Sequence, residues 1–309
     1  MTTTAKITLD QTFKYPENSP DPQYLIKWTR LGPSNGPSVV LVHGTPWSSR
    51  LWEPYAIALS SRYSVYLFDN PGYGQSQLLT EAAQAEFASN GSLTHQAEVT
   101  AALFAHWAQT AQEAPFQPHV IAHDNAGLAT LRIALQHNVK YRSLTLIDVV
   151  AVGPWGLPFF KLVAENEDVF RQLPPHMFDG IVRSYIRDAA FKPLRTEDED
   201  MLAEPWISGE GRQGQEGLIR VLKQASTRKS DDAERRYHEL GEQGLPVKII
   251  WGKEDGWVPC ERAEKLRDLI GGKTEVVIVE QAGHLIHLDQ PERLTAEILV
   301  FLNKVENDI

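Results

Sequence analysis

The stretch Val120-Ile121-Ala122-His123-Asp124-Asn125-Ala126-Gly127-Leu128 decides how the rest of the chain is read. A short β-branched run passes through one acidic residue, set among small ones, into an apolar-periodic helix. That pattern is a strand-turn-helix elbow, a geometry that mounts a nucleophile on a sharp turn. Such a turn brings neighbouring backbone close to the β-carbons at positions 122 and 126, and both are alanine. Asp124 is therefore the leading candidate for chemistry.

Working outward, residues 38–42 and 63–68 are continuous apolar runs, as strands buried on both faces of a parallel sheet are. They deliver His43-Gly44-Thr45-Pro46-Trp47 and Asp69-Asn70-Pro71-Gly72-Tyr73-Gly74-Gln75-Ser76. Two earlier β-like stretches fall at residues 7–13 and 24–29, and residues 95–110 have helical spacing. After the elbow helix, residues 143–147 form another strand, ending at Asp148. Residues 247–251 form the next, followed by Gly252-Lys253-Glu254-Asp255-Gly256-Trp257 and a helix with Ala263, Leu266 and Ile270 on one face. The last strand, 275–279, leads to Gln281-Ala282-Gly283-His284-Leu285-Ile286-His287, and a helix from Pro291 to about Val305 closes the chain. Strands alternating with helices predict a parallel sheet of right-handed βαβ units. Ligands of such sheets bind at the carboxyl ends of the strands, and all of these motifs lie at such ends.

Between residues 151 and 243 the strand signals stop. Helices are predicted over 159–173, 175–190 and 215–225, with the acidic run Glu197-Asp198-Glu199-Asp200 as a solvated loop. The chain thus divides into a core, 1–150 with 244–309, and a helical cap, 151–243.

The 309 residues, 42% hydrophobic and 23% charged, fit an enlarged globular α/β enzyme. A net charge of −10 argues against a nucleic-acid partner. The single cysteine, Cys260, cannot form an internal disulfide and has no context of a reactive thiol. The N-terminal residues lack the apolar core of a signal peptide, and no run of about 18 apolar residues suggests a membrane partner. A cytoplasmic protein is expected, and a homodimer is compatible with the sequence.

These motifs, in this order over nearly the whole chain, resemble the α/β-hydrolase fold. The resemblance implies a mostly parallel eight-stranded sheet flanked by helices, with a helical cap inserted after the sixth strand. An aspartate in the elbow, where the commoner version carries serine, is similar to the epoxide hydrolase and haloalkane dehalogenase branch. By that likeness Asp124 is the nucleophile, His284 the general base and Asp255 the acid, with Asp148 as the alternative acid. The backbone N–H groups of Thr45 and Asn125 fall on the oxyanion hole, while Gly72, Gly74 and Ser76 match a structural turn. Relatives in that branch often carry Trp after the nucleophile, whereas this chain has Asn125. The arginines that grip a carboxylate substrate in fluoroacetate-type enzymes are absent from Asn125-Ala126-Gly127-Leu128.

An aspartate nucleophile filters the chemistry. Attack on a carboxylic ester would give an anhydride, whereas attack on an electrophilic sp³ carbon gives an alkyl ester that a His284-activated water can hydrolyse. No cofactor is needed. Epoxide opening requires an acid on the ring oxygen, for which Tyr185 and Tyr237 are the cap candidates. Halide release requires N–H donors from Trp155, Trp206, Trp257 or the Asn125 amide. His43, Trp47, Phe159, Trp206 and Trp257 are expected to line a hydrophobic pocket for a small substrate. His287 and His123 are read as supporting residues. The expected activity is epoxide hydrolysis, with dehalogenation the alternative. Binding without turnover, or a lyase or isomerase using His284 without covalent catalysis, are the further alternatives.

Overall fold

The computed structural model describes residues 6–89, 93–153, 158–207, 213–226 and 233–308. One sheet runs through it, built from β1 (Gln11–Tyr15), β2 (Tyr24–Leu31), β3 (Ser38–Val42), β4 (Ser64–Phe68), β6 (His119–His123), β7 (Ser143–Ile147), β8 (Val247–Gly252) and β9 (Thr274–Val279). Their spatial order is β1-β2-β4-β3-β6-β7-β8-β9. A two-residue β5 (Gln77–Leu78) pairs with β2. β1 and β2 run antiparallel to their neighbours, and from β4 to β9 every pairing is parallel. The eight expected strands and the mostly parallel sheet are present, and β5 is a short addition. The first strand starts at Gln11 rather than at residue 7.

β3, β4, β6, β7 and β8 are buried along their whole length, which is why they read as unbroken apolar runs. Their side chains alternate between two cores. Val120, Ala122, Leu144 and Leu146 face α3 (Leu93–Thr110), where Leu103 and Trp107 lie, and α4 (Ala126–Gln136) with its Leu131. Ile121, Ile147 and Ile250 face the opposite way, onto Tyr55 and Leu59 of α1 (Glu53–Leu59) and Ile298 and Leu302 of α13 (Pro291–Asn307). A sheet covered on both faces leaves only the strand ends open to a ligand. α2 (Glu81–Ser89), α11 (Glu261–Ile270) and the short α12 (Ile286–Asp289) complete the layers.

Between β7 and β8 the chain forms α5 (Pro158–Glu165), α6 (Glu167–Arg171), α7 (Pro175–Asp188), α8 (Thr196–Ile207), α9 (Gly214–Ser226) and α10 (His238–Glu242). The single helix expected over 159–173 is broken at Asn166. The acidic run expected as a solvated loop is the first turn of α8 instead. Acidic side chains suit a helix N-terminus, where they face unpaired backbone N–H groups. Glu199 is buried there and accepts hydrogen bonds from Arg183 and Arg187 of α7, tying the two helices together.

Candidate active site

β6 ends at His123, and the chain reverses at Asp124 with φ +56. A left-handed non-glycine residue carries about 1–3 kcal/mol of strain and needs surrounding structure to fix it. Asp124 donates its N–H to the Ile147 carbonyl at 3.1 Å, and its own carbonyl accepts from Gly127 and Val150, both at 3.0 Å. The loop after β3 passes directly over this turn. A β-carbon on Gly44 would lie 2.4 Å from Cβ of Asp124, so only glycine permits the approach. That closeness lets the Thr45 N–H donate to Asp124 Oδ2 at 2.7 Å.

His284 follows β9 and is fully buried. Its Nε2 lies 3.6 Å from Asp124 Oδ1, an ion-pair distance, and its Nδ1 donates to Asp255 Oδ2 at 2.9 Å. Asp255 Oδ1 accepts the N–H groups of Trp257 and Val258 at 2.8 and 2.9 Å, which fixes the carboxylate plane toward the imidazole. Asp289 anchors the histidine loop by accepting the N–H groups of Gly283, Phe191 and Lys192. His123 donates from Nε2 to the His284 carbonyl at 2.9 Å, and His287 packs edge-on against Trp52. The structure thus brings Asp124, His284 and Asp255 together.

Asp148, the alternative acid, also ends a strand and has φ +44, but its Oδ1 accepts the Gly252 N–H and its Oδ2 has no hydrogen-bond partner. Burial and the nearby charge of Asp255 push its carboxyl well above the ordinary carboxylate value. It braces β7 against β8.

Charge organises the remaining three groups. Burial alone would raise the carboxyl of Asp124, but the hydrogen bond and charge of His284 outweigh it and hold it below the usual value. Burial favours a neutral His284 ring, yet the charge of Asp255, together with Asp124, keeps its proton well above the ordinary histidine range. The His284 ring thus lies between the two acidic groups Asp124 and Asp255. An ionised Asp124 beside a positively charged neighbour can attack an electrophilic carbon. Loss of the Asp124 charge would weaken the hold on the His284 proton, while the larger contribution of Asp255 would remain.

The cap candidates separate clearly. Tyr185 of α7 is buried, its hydroxyl has no hydrogen-bond partner among the described residues, and its ring stacks on Trp257 at 4.4 Å and 16°. Burial and the charge of Asp124 both raise its pKa, so it keeps its proton for donation. Tyr237 does not share this role: its hydroxyl donates to the Ala151 carbonyl at 2.9 Å, a buried brace at the cap's base. Trp155 lies outside the described residues.

Trp206 donates Nε1 to the Pro46 carbonyl and Trp257 donates Nε1 to Asp188, so neither indole N–H is free for a halide. Asn125 directs its side-chain amide to Thr45 Oγ1 at 2.5 Å. His43 is buried and bonded to neighbouring loops. Its Nδ1 donates to the Gly44 carbonyl and its Nε2 accepts from the Asn70 N–H, and burial keeps the ring neutral. Trp47 stacks on Trp257 at 5.9 Å, and Phe159 packs against Tyr185 at 5.3 Å. A groove of about 570 Å³ opens beside them, lined by Phe159, Ile181, Ser184, Tyr185, Arg187 and Asp188. Ser76, as expected of a structural turn, spans Lys27 N–H and the Asp69 carbonyl. Cys260 is partly buried at the N-cap of α11, and that burial pushes its thiol up.

Sequence reasoning missed Tyr73 and Asp188. Tyr73 sits in the turn after β4 whose motif reads as structural, yet its hydroxyl lies 2.6 Å from Thr45 Oγ1. The available signal was its position: an aromatic hydroxyl between two glycines at a strand end. Asp188 had no local signal, because its partner Trp257 is 69 residues away.

Among the described residues no cluster of His, Cys, Asp or Glu is arranged to hold a metal ion, and no helix is long and apolar enough to cross a membrane. The model of the alpha/beta hydrolase family matches residues 39–297. A solved alpha/beta hydrolase fold protein from Burkholderia ambifaria is 33% identical with a TM-score of 0.80, over 95% of this chain and 98% of that one. The dihydrolipoyllysine-residue acetyltransferase component of the acetoin cleaving system of Pseudomonas putida is 25% identical, over 91% of this chain and 67% of that protein. The pimeloyl-[acyl-carrier protein] methyl ester esterase of Aeromonas hydrophila is also 25% identical, over 84% of this chain and 92% of that protein.

Proposed function

The chain belongs to the alpha/beta hydrolase family, and on that premise we propose that this hydrolase opens epoxides through an ester on Asp124. In the first half-reaction Asp124 Oδ1 bonds to the epoxide carbon, the ring C–O bond breaks, and Tyr185 gives its proton to the ring oxygen. One of the two charges that hold the proton on His284 is then gone, and that proton restores the tyrosine through solvent. In the second half-reaction neutral His284 takes a proton from water, the water oxygen adds to Cγ of Asp124, and Oδ2 carries the negative charge toward the Thr45 N–H. Collapse breaks the Cγ–Oδ1 bond, and the diol leaves with Oδ1 and the proton from His284. The new carboxyl proton returns to His284.

The observation that carries this reading is the buried Tyr185 hydroxyl, without a hydrogen-bond partner among the described residues, on a ring that stacks on Trp257, which in turn packs against His284 at 5.0 Å. The apolar side of the adjoining groove, Phe159, Ile181 and the Tyr185 ring, suits a small hydrophobic substrate taken without a cofactor, beneath a cap of residues 151–243. Halide release is the second reading, favoured by one observation: the buried Nε1 of Trp47 has no hydrogen-bond partner and is a free donor. Hydrolysis of a carboxylic ester, which the name of the Aeromonas relative suggests, would have to pass through an anhydride at Asp124.

Single turnover in ¹⁸O water with epoxides, haloalkanes and carboxylic esters tests all three. The expected outcome is ¹⁸O in the peptide containing Asp124 with an epoxide only. Turnover undiminished in Asp124→Ala, by any substrate, would sink the mechanism and favour a lyase, isomerase or other non-covalent role for His284.

A further inference from the structure

Three loops meet under the Asp124 carboxylate through side chains that the ester chemistry does not use. Asn125, at the start of α4, donates Nδ2 to Thr45 Oγ1 at 2.5 Å. Thr45, in the loop after β3, shares a 2.6 Å hydrogen bond with the hydroxyl of Tyr73, in the turn after β4. All three residues are buried. The Tyr73 ring is fixed edge-on by His43 at 5.4 Å and by Trp206 at 6.0 Å. An amide nitrogen can only donate, so Thr45 Oγ1 accepts it and keeps one proton and one lone pair for Tyr73. Burying an amide, a hydroxyl and a phenol is costly unless each is paired, and valine and phenylalanine would fill positions 45 and 73 without that cost.

The two residues cross-tied in this way are those whose backbone N–H groups face Asp124. The Thr45 N–H binds Oδ2, and the Asn125 backbone amide contributes to the low pKa of the same carboxylate. We propose that Asn125, Thr45 and Tyr73 form a side-chain brace that fixes the separation of these two N–H groups, making Asn125 and Tyr73 positioning residues for breakdown of the Asp124 ester. The inference rests on the proposed ester mechanism.

The brace acts on one half-reaction. During alkylation the carboxylate becomes an ester, Oδ2 loses charge, and N–H groups on Oδ2 weaken toward the transition state. During hydrolysis water adds to Cγ, Oδ2 becomes an oxyanion, and the same N–H groups strengthen. Loosening them therefore slows hydrolysis and spares alkylation. A residue that only stabilises the fold would move both steps together.

The test uses rapid-quench kinetics with intact-protein mass measurement on the wild type, Tyr73→Phe, Thr45→Val and Thr45→Ser. Removal of a whole oxyanion-hole donor typically costs about 10²–10³ in rate, so misplacement is set at about tenfold. Tyr73→Phe and Thr45→Val should slow ester hydrolysis by about that factor, leave alkylation within about twofold and accumulate a mass adduct on Asp124. Thr45→Ser, which keeps the oxygen, should restore hydrolysis. Wild-type hydrolysis rates in Tyr73→Phe and Thr45→Val, or equal slowing of both steps, overturn the brace while leaving the ester mechanism standing. If His284→Gln traps no adduct from an epoxide or a haloalkane, the ester mechanism itself fails and the brace falls with it.

Discussion

The strand-end loops of the core and the helices of the cap treat their polar groups differently. In the core Asp124 Oδ2 is bound to Thr45, His284 to Asp255, and Asp255 in turn to the backbone of Trp257 and Val258. In the cap two buried tyrosines diverge: Tyr237 is bound to a carbonyl, whereas the Tyr185 hydroxyl has no partner. A buried polar group without a partner costs about 1–3 kcal/mol, and an incoming oxygen atom recovers that cost on binding. The Asp124, His284 and Asp255 contacts are already made in the core, and the proposed reaction assigns the open hydroxyl of Tyr185 to the substrate.

The most severe way to break this contrast is to remove the core nucleophile. Asp124→Ala should lower turnover by about 10⁴–10⁶-fold, the scale of losing a covalent nucleophile, and leave no adduct by mass measurement. The proton on His284 offers a gentler probe of the same pairing. Its pKa is raised by negative neighbours, so removing one lowers it: in Asp124→Asn the imidazole resonances should titrate at lower pH than in the wild type. Esterification removes the same charge. The ester-hydrolysis rate should therefore rise with pH and level off at an apparent pKa below that of the resting histidine. The alkylation rate should show no such rise. A hydrolysis rate flat with pH would mean that His284 is not the base.

The two strand-end acids sharpen the contrast within the core. Asp255→Asn turns an acceptor of the His284 proton into a competing donor, and a loss of about 10⁴-fold in kcat is expected for a triad acid. Asp148→Asn keeps an oxygen for the Gly252 N–H and replaces a carboxyl whose charged form burial already disfavours, so activity should fall by less than about tenfold. Equal losses would assign both acids to the base.

Tyr185→Phe carries the comparison to the cap. Loss of a general acid costs about 10²–10⁴-fold, so epoxide turnover should drop by at least about 10², with the smaller change in KM. Haloalkane turnover, if present, should be unaffected. An unchanged epoxide rate would transfer the leaving-group role away from the cap tyrosine.

These differences explain which parts were legible in the sequence. The sheet and the positions of Asp124, Asp255 and His284 were readable because a buried parallel strand imposes an apolar run and its end imposes a turn. Both signals lie within a few adjacent residues. The partners of the cap side chains lie far off in sequence: Trp206 reaches Pro46, Trp257 reaches Asp188 and Tyr237 reaches Ala151. Helical periodicity says which face of a helix is apolar and says nothing of what a hydroxyl on that face meets. The acidic run at 197–200 misled for a related reason. Its charge resembles solvated surface, yet Glu199 is held inward by two arginines of α7, and only tertiary structure supplies them.

Tyr237→Phe is the smallest and most diagnostic expected effect, because Tyr237 and Tyr185 are indistinguishable by residue type and cap location. The variant removes one hydroxyl and leaves the Ala151 carbonyl short of a donor, costing about 1–2 kcal/mol of stability and lowering Tm by a few degrees. The phenyl ring keeps its place in the buried cluster at the cap's base, so little repacking is expected. Epoxide turnover below the melting transition should match the wild type. A loss of activity on the scale of Tyr185→Phe, with Tm unchanged, would place both tyrosines on the leaving oxygen and dissolve the distinction between brace and acid.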